Sequence, residues 1–257
     1  MKILLVNDDG IYAEGIKRMA ESLIEAGHKL KVIAPDQERS AISHAITIRK
    51  PLRLFKTESK SLGNDAYRVN GTPADCIKLA LKVFEDFKPD LVISGINHGH
   101  NLGYDVYYSG TVSAAIEAYI QGYKAIAVSL SVVGSKNFKA VAEKIVDYLN
   151  DDDFIDSLNL IDGPLNINFP DLKYSKYNGY KVTSLAPQIY EDSVEERVDP
   201  AGGKYFWFRG GNKTYENDDF DVNAVKNGFI SITPLNLNIS DDKKIDILND
   251  KLSLDID

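Results

Sequence analysis

The feature that most restricts the fold lies at the start of the chain. Residues 2–7 form an apolar run of strand length, ended by the Asp-Gly turn signal at Asp9-Gly10. Ile16, Met19, Ala20 and Leu23 then recur at i, i+3, i+4 and i+7, with Gly27 where a helix C-cap belongs. A second apolar run, Leu30 to Ala34, is stopped by Pro35. Two buried strands joined by an amphipathic helix make a βαβ unit. Such a crossover favours a parallel sheet with helices packed on it.

The pattern continues. Asp36 to Ser43 is polar and reads as a loop, and Ile46–Phe55 and Tyr67–Val69 are short extended pieces. Thr72-Pro73 opens a helix with the stripe Ile77, Ala80, Leu81 and Phe84, which Pro89 breaks. Leu91-Val92-Ile93 is a further strand, running into a Gly/Asn/His-rich loop from Ser94 to Gly110. Val112, Ala115, Ile116, Tyr119 and Ile120 mark a helix, Ala125–Leu130 a strand and residues 138–149 another helix. After Asp151-Asp152-Asp153 the chain reads as short strands and turns. These include a hairpin formed by Lys204–Arg209, a Gly210-Gly211-Asn212 turn and Lys213-Thr214-Tyr215, then a strand Phe229–Thr233 and a charged tail from Asp241. The expected fold class is α/β: a Rossmann-like, doubly wound, mostly parallel sheet with a β-rich C-terminal extension. The whole chain, 1–257, reads as one domain, with 1–150 the α/β core carrying the site and 151–257 an oligomerisation extension.

Charge and cysteine usage exclude several classes. With 30 Lys and Arg against 38 Asp and Glu, the net charge of −8 disfavours long nucleic acid, whose binding depends on cationic side chains. A small phosphorylated substrate stays possible if a bound divalent cation reverses the local field. The one cysteine, Cys76, allows neither an internal disulfide nor a Cys-built zinc site; it reads as a small buried apolar residue in a reducing compartment, which points to the cytoplasm. No apolar run approaches the ~20 residues a bilayer span needs, so no membrane partner is expected.

Open α/β sheets bind ligands outside the carboxyl ends of their strands, and three polar clusters fall there. Asn7-Asp8-Asp9-Gly10 ends the first strand: its paired carboxylates suit a hard divalent cation, or one Asp caps the helix that follows. Arg39-Ser40-Ala41-Ile42-Ser43-His44 follows the second strand; its serine can ligate weakly or simply serve a loop. The third runs from Ser94 to Thr111. There the Asn97 amide oxygen can join Asp8 and Asp9 at a metal. Ser109-Gly110-Thr111 opens a helix whose N-terminus either receives a phosphate or is an ordinary Ser/Thr cap. His98 and His100 are acid–base candidates or solvated loop residues. No Walker A loop, zinc-protease helix, nucleophile elbow or dinucleotide fingerprint is present.

In combination these segments resemble the stationary-phase survival protein SurE family of 5′/3′-nucleotidases. The residues that carry the resemblance are Ile3–Gly10, Ala34–Ser40, Asn70–Cys76, Ser94–Asn97 and Ser109–Val112. In the second half they are Leu165–Pro170, Asp199-Pro200 with Tyr205–Trp207, and Gly228–Leu235. The resemblance implies one divalent cation per subunit, Mg²⁺ or Mn²⁺, on Asp8, Asp9, Ser40 and Asn97. It implies a phosphate among Asn101, Ser109, Gly110 and Thr111, and a homodimer or homotetramer built through the C-terminal half by an exchanged arm. It departs at Ala41, where the family pattern commonly has Gly. The function expected is hydrolysis of nucleoside 5′-monophosphates, with 3′-monophosphates and short polyphosphate as further substrates. Asp8 and Asp9 are the catalytic residues, and the alternative is a non-catalytic nucleotide sensor.

Overall fold

The computed structural model describes residues 1–131, 137–172, 176–214 and 217–252. Its nine-stranded sheet has the order β3-β4-β2-β1-β5-β6-β7-β11-β8. The central strands are β1 (Lys2–Val6), β2 (Lys29–Pro35), β4 (Ala66–Val69), β5 (Leu91–His98), β6 (Ala125–Ser131) and β7 (Leu165–Pro170), all parallel. β3 (Leu54–Lys56) runs antiparallel to β4 at one edge. At the other, β11 (Ile230–Pro234) runs antiparallel to β7, and β8 (Tyr180–Val182) lies parallel to β11. The expected α/β class and its mostly parallel sheet are therefore present.

Helices cover both faces, as continuous apolar strands require. On one face α1 (Glu14–Glu25) and α4 (Phe138–Leu149) bury Ile16, Met19, Leu23, Val141 and Ile145 against Ile3, Leu5 and Ile93. On the other, α2 (Pro73–Val83) and α3 (Gly110–Ile120) bury Cys76, Ile77, Val112 and Ala115 against Leu4, Val6 and Val92. Cys76 is fully buried, its thiol pushed up by that burial. The start of α2 is closed by a capping box: Thr72 Oγ accepts from Asp75 N–H, and the Asp75 carboxylate accepts from Thr72 N–H.

Three expectations need correction. The stretch after residue 151 is β-rich as expected but also holds three helices that the sequence reading missed: α5 (Asp152–Leu160), α6 (Asp221–Lys226) and α7 (Asp242–Lys251). Asp151 and Asp241 cap the first and last of these through their carboxylates. The hairpin exists, but its turn is elsewhere. β9 (Gln188–Val198) pairs with β10 (Lys204–Thr214), and Gly210, Gly211 and Asn212 lie inside β10. The reversal occurs at Asp199–Gly203, where Asp199 Oδ1 accepts from the N–H groups of Ala201 (2.8 Å) and Gly203 (2.9 Å). β9 is hard to read because its inner run, Ser193 to Arg197, carries charges rather than apolar alternation. Tyr215 lies outside the described residues. Finally, of the extended reading Ile46–Phe55, only its last two residues enter a strand.

Candidate active site

The chain builds β1, β2 and β4 in one direction and then returns to lay β5 on the other side of β1. The crevice at the carboxyl ends of β1 and β5 is thus the topological switch point of the sheet. Asp8 and Asp9 leave β1 into it. Asn7 Nδ2 donates to the Gly10 carbonyl (3.0 Å) and tightens the turn, with Gly10 at φ +96°. Neither aspartate caps α1, which begins later, after Ala13, with no side-chain cap.

Asp8 is buried against the first turn of α3. Its Oδ2 accepts from the Thr111 N–H (3.1 Å) and its Oδ1 from the Thr111 hydroxyl. The contact depends on Gly110: a Cβ there would lie 2.8 Å from the Asp8 Cβ and 3.0 Å from both Asp8 Oδ2 and Ile42 Cγ2. Burial pushes the Asp8 carboxyl from 3.8 up to about 6; the Thr111 donors pull it down and the charge of Asp9 pushes it up again. Asp9 is also raised, by burial first and then by Glu38, against the pull of the His98 N–H, which donates to Asp9 Oδ2 at 2.9 Å.

Asn97 is brought here by a bulge. The β5–β6 register shifts between Ser94 and Asn97, and β5 continues to His98 instead of ending at Ile93 as the sequence suggested. Asn97 Nδ2 donates to the Gly99 carbonyl (3.0 Å), which orients the amide. Ser40 opens onto the same cleft of about 260 Å³ as Asp9, together with Glu14, Glu38, His98 and Phe138. Its hydroxyl donates to Glu38 Oε1 at 2.6 Å.

The Ser40 loop stands in a costly conformation. Ala41 (φ +51°) and Ser43 (φ +54°) are both left-handed, at roughly 1–2 kcal/mol each. Glycine would take the first position freely, which gives the departure at Ala41 a physical meaning. The loop is tied down by Ser43, whose N–H and hydroxyl donate to the carbonyls of Tyr108 (2.8 Å) and Tyr107 (2.7 Å). Beyond it, His44 Nε2 meets the buried Glu117 of α3 at 2.9 Å; Lys78 and Gln121 reach the other Glu117 oxygen.

The four residues assigned to phosphate divide into two groups. Ser109 is the N-cap of α3, its Oγ accepting from Val112 N–H (3.1 Å), and the Thr111 donors are spent on Asp8. Asn101 is buried in an amide network. Its N–H donates to Asn168 Oδ1 (2.8 Å), its Nδ2 to Ser129 Oγ (2.8 Å), and its carbonyl accepts from Asn166 (2.8 Å) and Asn168 (3.1 Å). Of the histidines, His100 lies 3.8 Å from Asp105 Oδ2, and His98 packs near Phe138 with ring centroids 6.1 Å apart. Sequence reasoning passed over Glu38, Asn166 and Asn168. The alternation of Asn166 and Asn168 on one face of an otherwise apolar strand was the available signal.

The donor set fits a hard divalent cation in kind: two carboxylates, both raised by burial, with the Ser40 hydroxyl on the Asp9 cleft and the Asn97 amide one residue before the His98 N–H that binds Asp9. Among the described residues no group of three or more His, Cys, Asp or Glu converges as a metal site. Any cation here therefore relies on neutral oxygens as well.

Comparison with known proteins identifies the family of the chain. Residues 3–192 match the family model described as survival protein SurE. The chain belongs to the SurE family. A protein of Alkaliphilus metalliredigens named 5′-nucleotidase SurE is 45% identical over 93% of this chain and 94% of its own length. One of the same name from Desulfitobacterium hafniense is 42% identical over 99% and 98%. The crystal structure of the SurE protein from Aquifex aeolicus superposes with a TM-score of 0.83 at 36% identity, covering 98% of this chain and 99% of that one. No helix among the described residues is long and apolar enough to cross a membrane.

Proposed function

We propose that this SurE-family chain is a divalent-metal-dependent 5′-nucleotidase. It hydrolyses nucleoside 5′-monophosphates to nucleoside and phosphate, and extends to 3′-monophosphates and short polyphosphate. The observation that carries the reading is the Asp8–Asp9 pair, sunk in the switch-point crevice with Asp8 held by the start of α3. The names of the relatives support the same substrate class. Asp8, Asp9, Ser40 and Asn97 would hold one Mg²⁺ or Mn²⁺, which when bound polarises a phosphoryl oxygen and acidifies water.

The protein's own groups divide the remaining work. Thr111 fixes both Asp8 oxygens, so Asp8 keeps one orientation throughout. Asp9 has one oxygen on the His98 N–H, and its other oxygen can orient the attacking water and take its proton. Asn101 and the Ser109–Thr111 turn flank the position of the transferring phosphoryl group, with the helix dipole favouring its negative charge. Asp8 and Asp9 would both be engaged in holding the cation, so water rather than an aspartate would act as the nucleophile.

The exposed apolar residues of the hairpin, among them Val194, Phe206, Trp207 and Phe208, support a homodimer or homotetramer assembled through this arm. A lone, buried cysteine agrees with a cytoplasmic protein. The test is phosphate release by the purified full chain from a panel of nucleoside monophosphates with Mg²⁺ or Mn²⁺, halted by chelator and lost in Asp9→Ala. Nucleotide binding without release under any divalent metal would make the protein a sensor instead.

A further inference from the structure

The hairpin β9–β10 leaves the body after Ala186 and returns at Asn217. Its two feet are bound together there: Ser184 N–H donates to the Asp219 carbonyl (2.9 Å), and Asp221 N–H to the Ser184 carbonyl (3.0 Å). Between them sits Asp221, with no exposed surface. Its Oδ1 accepts from the N–H groups of Ala186 (3.0 Å) and Val222 (2.8 Å). Its Oδ2 reaches across to a segment 118 residues away and accepts from the Gly103 N–H at 2.7 Å.

Gly103 directly follows Asn101-Leu102 and begins the 3-10 turn Gly103–Tyr107, which runs into Ser109 and α3. The loop is thus pinned from two sides, by the asparagine network at Asn101 and by one carboxylate at Gly103. No lysine or arginine pairs with Asp221 among the described residues. Backbone N–H groups alone sustain its charge, and such charge-assisted bonds are the strong kind.

We propose that Asp221 is a positioning residue for the phosphate-binding loop, holding Asn101 to Ser109 in register against the base of the hairpin arm. The inference rests on the phosphomonoesterase reading of the site. It assigns to the C-terminal half a part in substrate binding, exerted through that loop and separate from assembly. The groups proposed for the cation lie on the turns after β1 and β2 and on β5, none of which Asp221 touches.

The variant that separates the two is Asp221→Asn in the full chain. Its single oxygen satisfies the Ala186 and Val222 donors, which turns the amide NH₂ toward the Gly103 N–H, donor against donor. Calorimetric titration with inorganic phosphate at saturating Mg²⁺ should show binding weakened about tenfold. The Mg²⁺ titration should stay within about twofold of wild type, because its ligands are untouched. Phosphate binding equal to wild type, or phosphate and Mg²⁺ weakened together, overturns the assignment. If the variant does not fold, amide hydrogen exchange of the wild type decides: the Gly103 N–H must be strongly protected, and exchange at the rate of an open loop refutes the role. A wild type that takes up Mg²⁺ but neither binds phosphate nor releases it from any nucleotide refutes the phosphomonoesterase reading itself.

Discussion

Asp8 should be a burden to the empty protein and indispensable to the loaded one, and the substitution Asp8→Asn measures both. Burial holds the Asp8 carboxyl at about 6 in the folded chain, against 3.8 when exposed. The folded state therefore keeps this proton to higher pH than the unfolded state does. The resulting stabilisation is complete below 3.8 and lost as pH rises through about 6. Above that, keeping Asp8 ionised and buried costs about 3 kcal/mol. An asparagine has the same shape and no charge. It can accept from the Thr111 N–H and donate to the Thr111 hydroxyl oxygen, so both contacts are kept, with the Thr111 hydroxyl proton giving up its Asp8 acceptor as the one loss. Urea unfolding in EDTA, followed by far-UV circular dichroism, should find Asp8→Asn more stable than wild type by about 1–3 kcal/mol at pH 8. The gap should close toward pH 4. Adding Mg²⁺ should stabilise the wild type by mass action and leave the variant unmoved. A variant that is less stable than wild type by the same amount at pH 4.5 and pH 8 would refute the reasoning, because Asp8 would then be a structural hydrogen-bonding group and not a buried charge awaiting a cation.

Gly110→Ala should push Asp8 out of place, since its Cβ would lie 2.8 Å from that of Asp8; phosphate release should fall about tenfold or more with an unchanged circular dichroism spectrum. Glu117→Ala leaves His44, Lys78 and Gln121 without their shared acceptor. Denaturation should show a loss of about 1–3 kcal/mol, and limited proteolysis should cut residues 40–47 faster. Replacing Phe206, Trp207 and Phe208 together by Ser should shift the mass seen by light scattering toward the 28.5 kDa monomer without unfolding the body.

The core was legible because each element is locally consistent. β1, α1 and β2 announce themselves through run length, 3.6-residue periodicity and terminal Gly or Pro, and the structure places them within a residue or two of the sequence reading. The candidate site was legible as three clusters at strand ends, and topology alone brings two of them together across the sheet. What could not be read is everything set by contacts between distant segments. The bond from Thr111 to Asp8 spans 103 residues, and that from Gly103 to Asp221 spans 118. Nothing local to Asp221 distinguishes it from Asp218 or Asp219. The hairpin turn was misplaced for a related reason: Gly210-Gly211 has the composition of a turn, but Asp199 supplies the hydrogen bonds that make one.

The antiparallel pairing of β11 with β7 has a consequence for synthesis. β7 ends at Pro170, and the strand that covers its open edge begins at Ile230. At roughly 5–20 residues per second, a ribosome needs about 3–12 s to make the intervening sixty or so residues. Through that interval a fully buried type of strand, Leu165 to Pro170, presents unpaired backbone to the cell. An exposed apolar edge is a template for aggregation. Asn166 and Asn168 make one face of that strand polar, and their amides find their partner, the Asn101 carbonyl, on a segment already made by then, so the edge left open is one of backbone pairing and not of side chains.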